Sequence, residues 1–219
     1  VLDCVSAGES IPARAGLAAR LVKAGLQARR TPGNPVAPGY GISLPSGWRS
    51  DPAVAAAFGW RHDAAARAGL TEELERIQSE WTPDAGLPRP GSRLVFRPER
   101  DDGAFLGMFR RIAVGSLDVT TRREVTALGA DRQAREDMGI YLAIPGDRDW
   151  WRLAYTAPGG QLAGMILPGR NTGGAAAGYL GVLPELRGRG YIDDLVAETT
   201  RFHAARGEPR IAATTDTTN

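Results

Sequence analysis

Apolar and polar positions change period along the chain, and each change marks an element. Leu17, Leu21 and Val22 recur at helical spacing within Ala13–Gly25, which predicts one helix ending at a glycine. Short strands are predicted at Val1–Val5, Gln27–Arg30 and Tyr40–Leu44, the last two flanking the Pro/Gly-dense loop Thr31–Tyr40. Asp51 predicts a cap for a helix running through Ala68, with Pro52 in its first turn and Gly69 just past its end. Thr71–Trp81 predicts a second helix, with Glu72 and Glu73 where carboxylates suit the dipole; Leu74 rules out a full capping box.

From there the pattern predicts a strand at Leu94–Arg97, a helix over Asp102–Ala113 and a helical stretch Thr121–Leu142 broken at Gly129. Strands follow at Trp151–Thr156, Gln161–Leu167 and Ala175–Leu183, the first two joined by a Gly159–Gly160 turn. A helix from Ile192 to Arg206 and a strand at Arg210–Thr214 close the pattern. Antiparallel strands followed by a strand–helix–strand unit make a mixed α/β (α+β) sheet. The Pro/Gly-rich stretch Trp81–Arg93 predicts a boundary near residue 90, giving regions 1–90 and 91–219.

Composition narrows the classes. At 42% hydrophobic and 24% charged, the 219 residues suit a globular chain able to bury a core. No apolar run approaches the roughly 18 residues of a spanning helix, so no membrane partner is expected. Cys4 is the only cysteine, which excludes an internal disulfide and a zinc site of several thiolates. No metal is expected, and a cytoplasmic setting fits. A net charge of +2 is too small to imply nucleic acid, and Lys23 is the sole lysine among 27 basic residues. The chain begins at Val1 rather than Met, so residues of the native N-terminus are expected to precede it.

The segment that carries chemistry is Gly178–Asp194, a strand followed by a basic glycine turn and a helix. Pro184 has no N–H for a ladder and ends the strand. Gly188 and Gly190 allow successive amides to turn inward and let an anion approach without meeting a Cβ. The first free amides of the next helix face the same point, and Arg187 and Arg189 add charge that pairs with phosphate. Asp193 and Asp194 read as structural first-turn carboxylates. A P-loop would need Gly-Lys-Ser/Thr, and the dinucleotide pattern fails because position 193 is Asp.

Val182-Leu183-Pro184-Glu185-Leu186 followed by Arg187-Gly188-Arg189-Gly190-Tyr191-Ile192 resembles the signature of the GNAT superfamily of acyl-CoA N-acyltransferases. The resemblance covers about Leu94–Asn219; Ile192 departs from the family's usual small residue. It implies acetyl-CoA as co-substrate, with the backbone of Leu180, Gly181 and Val182 pairing with pantetheine on a strand splayed from its neighbour. It implies that the amides of Gly188, Arg189, Gly190, Tyr191, Ile192 and Asp193 hold the pyrophosphate beside Arg187, with Asn219 near the pantetheine arm. The implied acceptor is a primary amine of a small molecule or peptide, with a homodimer as an option. The family's usual base, a carboxylate on this strand, is absent, which leaves Glu185 as the weak candidate. The family's usual terminal helix and strand pair are not found in this sequence, so a clipped or disordered C-terminus is expected.

Val1–Leu44 also resembles the closing part of a GNAT domain, as a degenerate first copy or, alternatively, as a segment that completes the second copy's sheet. His62, His203, Trp150 and Trp151 read as packing residues, His203 at a helix face edge. A non-catalytic acyl-CoA-binding regulator is the competing reading, and an arginine-rich nucleic-acid module the third.

Overall fold

The computed structural model describes residues 14–217, which fall into two compact units, Val1–Leu74 and Glu75–Asn219. Val1–Val5, Cys4 and Asn219 lie outside the described residues.

In the first unit, α1 (Arg14–Ala28) and α2 (Pro52–Arg67) pack through Ala18, Ala19, Val22 and Ala64. The buried face of α1 is thus set by alanines, and Leu21 is half exposed. The Asp51 carboxylate caps α2 as its position predicts, accepting from the amides of Ala53 at 2.9 Å and Val54 at 3.2 Å. Gln27–Arg30 does not form a strand, because α1 continues to Ala28 through Gly25. Tyr40–Leu44 contributes one isolated bridge position at Tyr40. Of the strand–helix–strand order expected of a partial first copy, the helix is present, the strand after it is not, and the first strand lies outside the described residues.

The second unit holds a six-stranded mixed sheet in the order β1-β6-β5-β4-β3-β2. Its strands are β1 (Arg76–Trp81), β2 (Leu94–Pro98), β3 (Arg152–Thr156), β4 (Leu162–Asn171), β5 (Gly174–Val182) and β6 (Ile211–Asp216). All neighbours are antiparallel except β5 and β6. One face is covered by α3 (Asp102–Val114) and α5 (Ala130–Ala143), with α4 (Val119–Leu128) packed on those two helices, and the other face by α6 (Tyr191–Ala204). The central strand β4 is buried along nearly its whole length, which explains its unbroken apolar run. Gly129, with φ of 79°, separates α4 from α5 at the predicted break. Trp151 is in the core against Phe105. His203 is fully buried rather than at a face edge, its Nε2 2.9 Å from the Ala176 carbonyl oxygen.

Two expectations are corrected here. The stretch ending at Trp81 is the strand β1, not a helix, and the compact units divide after Leu74 rather than near residue 90. The glutamates Glu72, Glu73 and Glu75 favour a helix locally, but Arg76–Trp81 pairs with every residue of β6. Arg76 sits opposite Asp216 and pairs with it at 2.9 Å, and Glu80 pairs with Arg210. The edge beside β6 is therefore completed within the chain, by a segment other than Val1–Leu44.

Candidate functional site

Two features of β5 shape the site. Between Leu167 and Gly169 the β4–β5 register slips, with Ala177 and Gly178 opposing the single residue Pro168. Pro168 has no N–H to give there, and Gly178 takes a φ of 67°, where a Cβ would collide with the Leu167 carbonyl oxygen. Beyond this bulge β5 leaves β6. The two parallel strands pair only at Ala175–Ile211 and Ala176–Ala212, so Tyr179–Val182, including Leu180 and Gly181, has no strand partner on that side. The splay expected around Leu180–Val182 is present.

At the open end of the split the chain turns. Pro184–Leu186 forms a single 3-10 turn that uses the amides of Leu186 and Arg187, bonded to the carbonyls of Leu183 and Pro184. Gly188 and Gly190 then adopt left-handed φ values of 73° and 71°, and α6 starts at Tyr191 with no side-chain cap. The Asp193 amide folds back to the Gly190 carbonyl at 3.2 Å, which removes it from the expected donor set. Among the described residues, none of the amides of Gly188, Arg189, Gly190, Tyr191 or Ile192 makes a hydrogen bond of normal geometry. These donors lie at the positive end of a 14-residue helix, an arrangement that suits an anion. A Cβ on Gly188 would meet nothing within 4 Å, so the space in front of the turn is open. The Ile192 side chain is 46% exposed.

The arginines divide differently from the expectation. Arg187 turns inward, its Nε donating to the Val182 carbonyl at 3.3 Å and its Nη1 to the Gly115 carbonyl, so it clamps the end of β5 to α3. Only Arg189 remains exposed on the turn. A third arginine, Arg93 at the start of β2, was not singled out by sequence. Its backbone N–H and Nε donate to the Asp194 carboxylate at 2.9 and 3.0 Å, and its Nη1 reaches the Arg189 carbonyl at 3.4 Å. Asp194 is 2% exposed, so this pair anchors the first turn of α6 and confirms a structural role for that carboxylate. No sequence signal links residues 101 apart.

Glu185 is exposed and bonded to Arg111 at 2.5 Å. Its own backbone amide and the Arg111 guanidinium hold its carboxyl below the usual range, which weakens it as a base. β5 carries no carboxylate. Among the described residues no cluster of His, Cys, Asp or Glu could hold a metal, and no helix is long and apolar enough to cross a membrane.

No protein-family model matches the sequence, and no curated protein matches it. Solved structures do. A GCN5-related N-acetyltransferase from Sphaerobacter thermophilus is 20% identical over 71% of this chain and 48% of its own, with a TM-score of 0.43. A tandem GNAT protein from the clavulanic acid biosynthesis pathway, solved without AcCoA, is 21% identical over 81% of this chain and 54% of its own, with a TM-score of 0.44. A Drosophila structural-genomics protein is 17% identical, covering 74% and 49%, with a TM-score of 0.40. The chain spans about half the length of each. Likeness at this level carries no argument about activity. The chain's own sheet order, strand split and glycine turn define a mixed α/β fold.

Proposed function

We propose that this chain is an N-acyltransferase that moves an acetyl group from acetyl-CoA to a primary amine of a small molecule or peptide, in the cytoplasm. The observation that carries the reading is the run of five unengaged amides, Gly188 to Ile192, at the N-terminus of α6. A diphosphate supplies acceptors for such donors. The unpaired edge of Tyr179–Val182 then offers backbone groups to the pantetheine arm, and a backbone N–H there polarises the thioester carbonyl. The amine attacks that carbonyl, and CoA leaves as the thiol.

A non-catalytic acyl-CoA-binding regulator is the second reading, favoured by the engagement of Glu185 with Arg111 and the lack of a carboxylate on β5. Thermal shift with acetyl-CoA, CoA and no ligand tests the binding step, with Gly188→Glu as the variant that fills the open space with negative charge. Wild type gains stability from both ligands and the variant gains none. Thiol release across polyamines, aminoglycosides and amino acids separates the two readings: tight binding without turnover on any amine supports the regulator.

A further inference from the structure

Beyond the bulge β5 and β6 run parallel without pairing, so the spacing of their ends is set by something other than a ladder. The strands end at Val182 and Asp216, on the same side of the sheet. The connection from α3 to α4, Gly115–Asp118, runs from one of these ends to the other and is tied to both. On the β5 side, Arg187 donates from Nη1 to the Gly115 carbonyl and from Nε to the Val182 carbonyl at 3.3 Å. Gly115 also lies against the residue that stops the strand, since a Cβ there would stand 2.8 Å from Pro184 Cγ. On the β6 side, the Val119 amide donates to Asp216 Oδ2 at 2.9 Å. The connection is a strap across the mouth of the split.

The β6 anchor depends on a cation that the glycine turn does not use. Asp216 is 1% exposed, and its Oδ1 pairs with Arg76 Nε at 2.9 Å. The same guanidinium reaches Asp118 Oδ2 at 3.7 Å, so it holds the end of β6 and the last residue of the strap together. Asp118 Oδ1 in turn caps α4, accepting from the Thr121 amide at 2.7 Å. One arginine on β1 thus joins β6, the strap and the start of α4. Without it, a buried carboxylate is left without its cation. Arg76 lies outside Leu94–Asn219, the stretch that carries the family resemblance.

The length of the strap limits the width of the split. Four Cα–Cα steps separate Gly115 from Val119, which span at most about 13–14 Å when fully extended. Neighbouring strands stand about 4.8 Å apart, so two strands with one extended chain between them stand about 9.6 Å apart, and with two chains between them about 14 Å. Turns make the strap shorter than its limit: the Ser116 amide bonds the Ala113 carbonyl at 3.1 Å, and the Asp118 amide bonds Ser116 Oγ at 3.1 Å. A strap of this length leaves room for one inserted chain and not for two.

We propose that Arg76 and Asp216 are positioning residues for the cofactor: through the Gly115–Asp118 strap they hold the mouth of the split at the width of one extended chain, the pantetheine arm of an acyl-CoA. The inference rests on the acyl-CoA reading above. The arm carries two amides, and the split offers it backbone groups on both sides, from Tyr179–Val182 of β5 and Ala213–Asp216 of β6, which pair with no strand across the opening. A split already held at this width spares the ligand the cost of parting two strands and ordering their edges. Neither residue is assigned a part in bond making.

The test is isothermal titration of the full chain with CoA and with 3′-phospho-ADP, which is CoA without its pantetheine arm. The variants are Arg76→Leu, Asp216→Asn and an insertion of two glycines between Ser116 and Leu117. The insertion gives the strap slack while keeping every anchoring side chain, and it decides the case if either substitution fails to fold. Wild type is expected to bind CoA more tightly than the fragment. Each variant is expected to lose about tenfold or more in CoA affinity while fragment affinity stays within about twofold, a split that general loss of stability does not produce. Arg76→Lys should recover part of the loss, because an ammonium keeps the charge without the fork that reaches both carboxylates. Variants that keep the wild-type ratio of the two affinities overturn the strap's role and leave the acyl-CoA reading standing. Wild type that binds the fragment as tightly as CoA removes the pantetheine site, and with it both the acyl-CoA reading and the role of the strap.

Discussion

Arg93 shows what a single side chain contributes at the turn. It satisfies a carboxylate that is 2% exposed and braces the Arg189 carbonyl, so removing it leaves Asp194 buried without its cation. Arg93→Ala is expected to cost about 2–4 kcal/mol in urea denaturation, discounted for the half-exposed arginine, and Arg93→Lys to recover only part of it because the ammonium has no fork. A loss below about 0.5 kcal/mol, the range of an ordinary surface pair, would contradict that role. Glu185→Gln is expected to leave acyl transfer within about twofold, since its carboxyl is already committed to Arg111. The residues whose backbone matters, Gly188 and Gly190, were legible in the sequence because glycine alone takes left-handed φ without strain. The direction of Arg187 was not, because charge announces a cation but not which oxygen it will meet.

Elements were legible where the period was strong and local. The caps at Asp51 and Gly129 and the turn at Gly159–Gly160 all lie where their residue types require them. β1 was illegible: a charged hexamer with five exposed positions has no apolar period, and its strand state comes from pairing with β6, some 130 residues on. The bulge in β5 makes a sharp contrast between two left-handed glycines. Gly178→Ala places a Cβ against the Leu167 carbonyl oxygen as well as straining φ, and is expected to destabilise by about 3 kcal/mol or more. Gly188→Ala meets open space and should cost only the left-handed penalty of about 1–2 kcal/mol. Equal losses in chemical denaturation would mean that the bulge does not shape β5 as described.

Across the whole chain, the Pro/Gly-rich stretch Trp81–Arg93 signalled a loop, but a loop inside a unit has the same composition as one between units. Residues 75–219 are proposed to fold alone with a single cooperative transition, whereas 91–219 lacks β1, exposes the edge of β6 and should unfold earlier or aggregate. Asp137, on α5, leaves a second whole-chain signature. Asp137 has its folded value raised from 3.8 to about 6, so the native state binds more protons than the unfolded chain between those values. The stabilising protonation is complete below about 4 and is lost as pH rises through 6. Asp137→Asn should therefore be more stable than wild type at pH 8, by up to about 3 kcal/mol, and no more stable at pH 4. A gain that is the same at both values would mean that burial does not disfavour the Asp137 charge.

The measurement closest to the centre is a residue-resolved amide NMR titration with CoA. The resonances of Gly188, Arg189, Gly190, Tyr191 and Ile192 should shift together, while those of Leu186, Arg187 and Asp193, already bonded within the chain, move far less. Shifts confined to other parts of the chain, with the 188–192 amides unmoved at saturation, would contradict a diphosphate held at the start of α6.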